Sequence, residues 1–387
     1  MSTLRPKVLT VFGTRPEAIK MAPVVRELAA DWQLEHRLVV TAQHRELLDE
    51  VLELFELEPA HDLNLMQQRQ SLEYLTSAAL TSLSEVLAVE RPDFVLVHGD
   101  TTTTFIAALA AFYQHIPVGH VEAGLRTLTV KLPFPEELNR RVTDLLADHY
   151  YCPTSGAATN LRLRAEHSGQ VFITGNTALD AVRLAYDEQY NFASERLAEF
   201  AAHDGPKLLL TAHRRENWGE PLQQICHGLL DALAAQPTAR ACFCWHPNPA
   251  VRDVVRPLLA DHERVLLVDP PRYDEFVNLM ARSDLLLSDS GGIQEEVTQL
   301  RRFVLVLRHE TERPEAVASG FARVVGTSRA AIAAAVGEAL PRCLAGTLPP
   351  PHAQGPFGDG HAAERIHAAV RYAVGLEHQP PEDYHLS

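Results

Sequence analysis

The chain has 387 residues, of which 46% are hydrophobic and 22% are charged, and its formal net charge is −15. This length exceeds the size at which one hydrophobic core keeps growing, so we expect two domains with a cleft between them. The negative charge argues against a nucleic-acid partner and against an anionic membrane, because both favour a basic protein surface. An anionic substrate would have to meet a local basic site.

Residues 1–7 form a short polar stretch that does not resemble a signal peptide. No apolar run approaches the roughly 18 residues of a membrane span. We therefore expect a cytoplasmic protein. The five cysteines form no CxxC pair, which favours free thiols over disulfides. Cys242 and Cys244 are two residues apart in an apolar run, and we expect them to pack on one side of a strand rather than bind a metal.

Short apolar segments alternate with amphipathic segments, which is typical of a parallel α/β fold. In the first half the predicted strands are 8–12, 37–41, 94–98, 117–121, 149–152 and 171–174. In the second half they are 207–211, 240–245, 265–268, 285–287 and 303–306. Among the predicted helices are 101–114, 136–147, 222–235 and 273–281.

These two series predict two doubly wound, Rossmann-like domains, residues 1–174 and 175–361. A last helix, within 362–375, follows a Pro/Gly-rich stretch and is expected to pack back on the first domain. In open parallel sheets, ligands bind beyond the carboxyl ends of the strands. The residues that follow each strand are therefore the first candidates for a functional site.

A glycine-rich turn follows one of these strands. Ser290, Gly291 and Gly292 precede a predicted helix, where backbone N–H groups and the helix dipole suit a phosphate. A simple turn with Ser290 as the N-cap explains the same residues equally well. Glu296, one turn later, could reach a ribose hydroxyl or could be a solvated helix residue.

Two basic residues follow the first predicted strand. Arg15 and Lys20 bracket the first turn of the next helix and could direct positive charge at a pyrophosphate. Alternatively, Arg15 forms a structural salt bridge and Lys20 is ordinary surface charge. Neither GxGxxG nor GxxxxGK[ST] occurs, so the chain has no fingerprint of a dinucleotide cofactor or a P-loop.

Four further residues at strand ends or in adjoining loops form a candidate acid/base set: Asp100, Glu122, Glu136 and His213. Carboxylates that lie together raise one another's pKa and can move a proton beside a breaking C–O bond. Taken singly, Asp100 and Glu136 could be helix caps, and His213 a structural histidine. No HExxH or comparable spacing occurs, so we expect no catalytic metal.

Several ordered motifs span almost the whole chain: FGTRPEAIK (12–20), TAQHR (41–45), HGDTTTT (98–104), GHVEAGLR (119–126), PEE (135–137), TGNT (174–177), DSGGIQEE (289–296) and TERPE (311–315). With them the sequence resembles the bacterial non-hydrolysing UDP-N-acetylglucosamine 2-epimerases. The resemblance implies a fold of the glycosyltransferase B type, a homodimer and no cofactor. It also implies that UDP is held mainly by the second domain and the sugar in the cleft.

The reaction implied is reversible conversion of UDP-N-acetylglucosamine to UDP-N-acetylmannosamine by anti elimination of UDP to a glucal, followed by re-addition. By motif position, the resemblance transfers catalytic or substrate-binding roles to Arg15, Lys20, Asp100, Glu122, Glu136, His213, Phe276, Ser290, Gly291, Gly292, Glu296 and Arg313. Pro271 stands where relatives contact the uridine, and we expect a main-chain contact there.

Many members of the resembled family bind a second substrate molecule as an activator. The matching positions here are Gln43, Arg69, Glu136, Arg214 and His246, with Glu46 in the same segment. Glu46 replaces the glutamine of some relatives, and its charge would weaken such regulation.

The chain also departs from the family pattern. Residues 297–303 lack the glycine and proline of the family's turn, and residues 131–133 and 308–310 also differ. We expect these differences to affect loop geometry more than reaction class. A hydrolysing epimerase, a glycosyltransferase and a non-catalytic UDP-sugar sensor are the competing functions.

Overall fold

The computed structural model describes residues 5–41, 45–65, 71–127, 129–163 and 169–385, with only the backbone of residues 45 and 46. The chain forms two compact units. The first comprises Met1–Ala181 and Gly358–Ser387, and the second comprises Val182–Phe357. The division at 181/182 falls inside a helix, whereas the sequence pattern places a domain boundary at 174/175.

The first unit contains a seven-stranded sheet. Its strands are β1 (Lys7–Phe12), β2 (Glu35–Val40), β3 (His61–Asp62), β4 (Phe94–His98), β5 (Val118–Val121), β6 (His149–Cys152) and β7 (Gln170–Ile173). They lie in the order β3-β2-β1-β4-β5-β6-β7, and every pairing is parallel. The helices up to the unit boundary are α1 (Arg15–Ala30), α2 (Arg45–Leu54), α3 (Leu72–Glu90), α4 (Thr102–Tyr113), α5 (Glu136–Leu146), α6 (Ser155–Arg162) and α7 (Thr177–Ala185).

The second unit contains a six-stranded parallel sheet. Its strands are β8 (Lys207–Ala212), β9 (Arg240–Trp245), β10 (Val265–Val268), β11 (Leu285–Ser288), β12 (Val304–Val306) and β13 (Ala322–Val324), in the order β10-β9-β8-β11-β12-β13. The remaining helices are α8 (Glu195–Ala201), α9 (Glu220–Ala235), α10 (Pro249–Leu259), α11 (Tyr273–Ala281), α12 (Gly291–Gln299), α13 (Pro314–Ala318), α14 (Arg329–Leu344) and α15 (Ala362–Ala373).

Both sheets are buried because helices cover both faces, which explains why their strands read as continuous apolar runs. The central strand β4 is buried at every position. Cys242 and Cys244 lie in β9 and are buried in the second unit. In the first unit α15 packs on α1, where Arg371 Nη1 lies 2.6 Å from Asp31 Oδ2.

Each sheet has one topological switch point. In the first unit the chain runs from β1 outwards through β2 to β3, and then from β4 through β5 and β6 to β7 on the other side. The second unit repeats this pattern, with β8 and β11 at its centre. The carboxyl ends of the strands that flank a switch point are the usual place for a ligand.

The predicted α/β class with two doubly wound sheets is confirmed. All eleven predicted strands are present, with ends shifted by up to two residues, but the prediction missed β3 and β13. These two strands have two and three residues and include polar side chains, so they carry no apolar run to detect. Within the described residues, no helix combines the length and the apolar character that crossing a bilayer requires.

Candidate active site

The carboxyl ends of β1, β4 and β5 hold three of the predicted catalytic residues. These strands are neighbours at the switch point of the first sheet. Asp100 follows β4, Glu122 follows β5, and Lys20 lies in the helix after β1. Lys20 and Glu122 are 102 positions apart in the sequence, yet they meet at this edge.

Glu122 is held in a strained conformation beside a lysine. Its backbone φ is +65°, in the left-handed region that costs a residue with a Cβ roughly 1–2 kcal/mol. Its Oε1 accepts a hydrogen bond from Lys20 Nζ, and the two side chains are only 11% and 15% exposed. An ammonium group beside a carboxylate favours the ionised form. The ionised carboxylate is the form of Glu122 that can accept a proton.

A buried histidine lies beside this carboxylate. His98, the last residue of β4, has its Nε2 3.8 Å from Glu122 Oε2. Neither of its ring nitrogens makes a hydrogen bond within the described part of the chain. Burial lowers the pKa of His98 to about 4; Lys20 and His120 act in the same direction, and Glu122 opposes them. His98 is therefore neutral near pH 7.

A second histidine anchors the turn that bears Asp100. His120 Nε2 lies 2.7 Å from the Gly99 carbonyl oxygen, to which it must donate, and Nδ1 lies 2.7 Å from Asp144 Oδ1. Burial opposes the ionisation of Asp144, but His120 and Arg126 outweigh it and hold its pKa below the usual range. The Gly99 carbonyl, and with it Asp100, is fixed by this chain of contacts.

Asp100 also contacts α5. Its Oδ2 accepts a hydrogen bond from Arg140 Nη2, and its carbonyl oxygen accepts one from Asn139 Nδ2 at 3.0 Å. Arg140 is held in turn by the buried carboxylate of Glu137. The Asp100 side chain is 28% exposed and so remains accessible to a ligand.

Glu136 is the first residue of α5, one turn before Arg140. It is half-buried, and its Oε2 is buried without a hydrogen-bond partner among the described residues. The structure therefore places Glu136 on the helix that binds Asp100, but no hydrogen bond links the two carboxylates in that part of the chain.

Arg15 begins α1 and is half-buried. Two residues later Glu17, which sequence reasoning did not single out, is buried and joins the turn after β1 to the start of α4. It accepts hydrogen bonds from the N–H of Gly13 at 3.0 Å and of Thr14 at 2.8 Å, and from the Thr101 hydroxyl at 2.6 Å. Burial raises the pKa of Glu17, and these hydrogen bonds act against that rise.

In the second unit, Asp289 organises the switch point. It follows β11, is fully buried, and accepts hydrogen bonds from the N–H groups of His213 at 3.0 Å and Arg214 at 2.9 Å. The side-chain amide of Asn217 donates a third at 2.9 Å. A single carboxylate thus fixes the turn after β8.

This turn presents His213 to solvent. Its side chain is 44% exposed, and Nδ1 lies 3.2 Å from Asp289 Oδ1. Neighbouring groups still desolvate the imidazole enough to lower its pKa, and the Asp289 carboxylate acts in the opposite direction. A neutral His213 that donates from Nδ1 to Asp289 has an acceptor at Nε2.

The predicted anion site lies at the same switch point. Ser290 precedes α12 without capping it through its side chain, and the first N–H groups of a helix have no intrahelical acceptor. A Cβ on Gly291 would lie 3.9 Å from Arg214 Nη2, and one on Gly292 would lie 3.9 Å from Ser290 Oγ. The backbone is therefore open to a ligand, with a guanidinium group beside it.

The other predicted ligand-binding residues of the second unit surround α12. Arg313 Nε donates a hydrogen bond to the buried Glu295, and Tyr273 donates one to Glu296 Oε1 at 3.2 Å. Phe276 lies half-buried in α11, and Pro271 precedes that helix.

The positions matched to an activator site are only partly described. Gln43 and Arg69, and the side chain of Glu46, lie outside the described residues. Arg214 lies beside Gly291 at the predicted anion site. His246 follows β9, and its Nδ1 accepts a hydrogen bond from the Asn248 N–H at 3.1 Å.

The altered turn at 297–303 has a direct structural consequence. Arg301 stands where the family has glycine, and its φ is +52°. Its guanidinium donates to the carbonyl oxygens of Pro350, Pro351 and Ala353 at 3.2, 2.9 and 3.0 Å. These contacts offset part of the strain that the glycine would avoid.

Sequence reasoning assigned no role to Glu17, His98, His120 or Asp289, although all four lie in the quoted motifs. For His98, His120 and Asp289 the available signal was position, because each is a titratable residue within or next to an apolar strand; Glu17 lies instead in the first turn of α1. A titratable side chain that is buried in or beside a strand is usually either hydrogen-bonded or ion-paired, or part of a functional site.

Comparisons with known proteins identify the family. The sequence model of the family described as UDP-N-acetylglucosamine 2-epimerase matches residues 26–371. The UDP-N-acetylglucosamine 2-epimerase of Escherichia coli K12 is 46% identical over 94% of this chain and 98% of its own length. That of Bacillus subtilis is 43% identical over 98% of both chains.

Solved structures give the same result. The S. aureus MnaA–UDP complex superimposes with a TM-score of 0.89 at 42% identity, covering 98% of this chain and 100% of that one. The UDP-GlcNAc 2-epimerase from Neisseria meningitidis bound to UDP-GlcNAc has a TM-score of 0.84 at 44% identity, covering 93% and 98%. The family model, sequence identities of 43–46% over nearly the whole chain and the matching fold all point to one family, so this chain belongs to the UDP-N-acetylglucosamine 2-epimerase family.

Proposed function

We propose that this protein interconverts UDP-N-acetylglucosamine and UDP-N-acetylmannosamine by anti elimination of UDP and its re-addition, without releasing UDP to water. The observation that carries this proposal is the Lys20–Glu122 pair beside Asp100 at the switch point of the first sheet. A product of this kind would supply the synthesis of cell-surface polysaccharide.

The residues suit the chemistry. A hydrogen at carbon 2 of the sugar is poorly acidic, so its removal must be coupled to the departure of UDP from carbon 1. A carboxylate takes the proton, and the electron pair of the C–H bond becomes the new double bond as the C–O bond to UDP breaks. Asp100, Glu122 and Glu136 are the candidates for this transfer and for the return of a proton to the opposite face.

We propose that the second unit holds UDP. The N–H groups at Ser290–Gly292 would bind the diphosphate, and the charge that develops on it would be shared with His213 and Arg313. Arg15, in the first unit, is a further proposed substrate-binding residue. Glu296 would accept hydrogen bonds from the ribose, while Phe276 and the main chain at Pro271 would contact the uracil.

The remaining parts of the proposal concern organisation. Residues 1–174 with the helix in 362–375 would form the sugar and catalytic domain, and residues 175–361 the UDP-binding domain. We propose that the protein is a homodimer, that it needs no cofactor and that it acts in the cytoplasm. A second substrate molecule would bind at Gln43, Glu46, Arg69, Arg214 and His246.

Proton NMR of the protein with UDP-N-acetylglucosamine in deuterated water tests the reaction. We expect the manno epimer to appear with deuterium at carbon 2 while UDP stays attached. Accumulation of free UDP and N-acetylmannosamine would assign the hydrolysing reaction instead. Binding without any turnover would assign the sensor, and transfer that needs an added acceptor would assign a glycosyltransferase.

A further inference from the structure

Buried polar side chains are nearly always hydrogen-bonded, because an unsatisfied group loses its contacts with water and gains nothing. His98 breaks this rule twice. It is 3% exposed, and both of its ring nitrogens lack a hydrogen bond within the described part of the chain. One nitrogen of a neutral imidazole is always a donor and the other an acceptor, so both capacities are unused.

The position of the ring suggests its partner. The charged and titratable groups that face His98 are Glu122 and His120 from β5 and its following turn, and Lys20 from α1. His120 is already held by Gly99 and Asp144 at 2.7 Å on each side. Glu122 Oε2, 3.8 Å from His98 Nε2, is an acceptor just beyond hydrogen-bond distance.

We propose that His98 is a positioning residue for Glu122, whose Oε2 takes a hydrogen bond from the neutral imidazole Nε2–H when substrate is bound. Lys20 already binds Oε1, so the second contact would fix both carboxylate oxygens. The movement needed is less than about 1 Å, since hydrogen bonds of this kind span about 2.7–3.2 Å. The inference deepens the proposed function and names a residue that acts through the proton acceptor.

A neutral donor suits this task. Lys20 already favours the ionised form of Glu122, and a second full positive charge would make the carboxylate a poorer proton acceptor, whereas a neutral imidazole N–H favours the ionised form more weakly. Because burial keeps His98 neutral, its N–H can orient the Glu122 carboxylate without placing a second full charge beside Lys20.

The test compares substitutions at His98 with one at a matched histidine. His149 is also largely buried, its pKa is also lowered by burial, and it lies in the first position of β6, at the opposite edge of the sheet. We expect His98→Leu to lower kcat about tenfold to a hundredfold with little change in KM. The acidic limb of kcat, which reports the enzyme–substrate complex, should move to higher pH by about one unit, because the carboxylate loses a donor there. His149→Leu should leave this limb in place.

Two polar variants separate the loss of the hydrogen bond from a general loss of folding. His98→Gln places an amide N–H near the position of Nε2, whereas His98→Asn places it near Nδ1. We expect Gln, but not Asn, to restore the pH profile. If Leu and Gln behave alike, or if the limb stays in place in every variant, His98 only fills space and the proposal is wrong.

A second readout needs no turnover and so separates this proposal from the proposed function. Carbon-13 NMR with labelled glutamate, assigned with Glu122→Gln, follows the titration of the Glu122 carboxyl group in protein saturated with UDP-N-acetylglucosamine. His98→Leu should raise the midpoint of that titration and His149→Leu should not. An unchanged midpoint in His98→Leu would overturn the proposal even in a protein that never epimerises its ligand.

Discussion

The two switch points of this protein share a topology but differ in their chemistry. At the first, paired side chains dominate: Lys20 with Glu122, Arg140 with Asp100, and His120 with Asp144. At the second, one buried carboxylate, Asp289, orders the turn after β8, and Arg214 of that turn lies beside Gly291 in the glycine-rich turn after β11. Under the proposed function, the same fold supplies an acid/base edge in one unit and an anion-binding edge in the other.

This difference shows why a fold class alone does not specify a reaction. Parallel strands deliver whatever follows them to one edge, and the residues there decide between proton transfer and phosphate binding.

The largest effect should come from the acid/base edge. We expect Glu122→Gln to lower kcat by about a thousandfold, within the range for loss of an acid/base group, while UDP affinity stays within about twofold of wild type. Progress curves by proton NMR give kcat, and titration calorimetry gives the affinity.

The matched control is Glu90→Gln. Glu90 also pairs with a lysine, Lys7, at 2.8 Å, but at the amino end of β1. The Glu90→Gln variant should leave kcat nearly unchanged. Equal losses in the two variants would mean that the Lys–Glu pairs are structural, and the contrast between the edges would fail.

The acid sensitivity of stability should depend on His98 more than on His213. The folded-state pKa of His98, about 4, lies below the unfolded value of about 6.5. Between these values the unfolded state binds more protons, so the free energy of unfolding falls as the pH drops. From pH 7 to pH 5 this residue should contribute a loss of about 2 kcal/mol.

Urea unfolding of His98→Gln and His213→Gln at both pH values measures this contribution. His98→Gln should lose less stability on acidification than wild type, because its amide does not titrate. The half-exposed His213 should matter less. Parallel losses in wild type and His98→Gln would show that this histidine is not the group that titrates.

A methyl group added at the proposed anion-binding edge should weaken the binding of UDP. Gly292→Ala would meet no chain atom closer than Ser290 Oγ at 3.9 Å, so folding should be unaffected. A phosphate that approaches the amides would meet the new methyl, and we expect UDP affinity to fall about tenfold, or about 1.4 kcal/mol.

Gly337→Ala in α14 is the control, because no atom lies within 4 Å of its added Cβ. It should leave UDP affinity unchanged and raise the free energy of unfolding slightly. If Gly292→Ala binds UDP as wild type does, the phosphate does not approach these amides.

The smallest effect should appear at the altered turn, away from both edges. Arg301→Ala loses three hydrogen bonds to carbonyl oxygens and keeps a Cβ at φ +52°, whereas Arg301→Gly loses the same bonds and relieves the strain. We expect the glycine variant to be more stable than the alanine variant by about 1 kcal/mol. Chemical unfolding measures the difference, and a less stable glycine variant would contradict this account.

The sequence by itself determined the architecture and the composition of both edges. Continuous apolar strands such as residues 94–98, separated by helix-length segments, indicate two buried parallel sheets, because only strands covered on both faces read this way. The motifs after the strands then place Asp100, Glu122 and the Ser290–Gly292 turn at carboxyl ends. Local patterns suffice here because they depend on neighbours along the chain.

Only the tertiary structure decided which groups are paired and which are neutral. That Lys20 meets Glu122, that His98 is buried without a hydrogen bond in the described chain, and that Asp289 holds the turn after β8 depend on residues far apart in sequence. Protonation and strain follow from distance and burial, and these are set when strands assemble into a sheet.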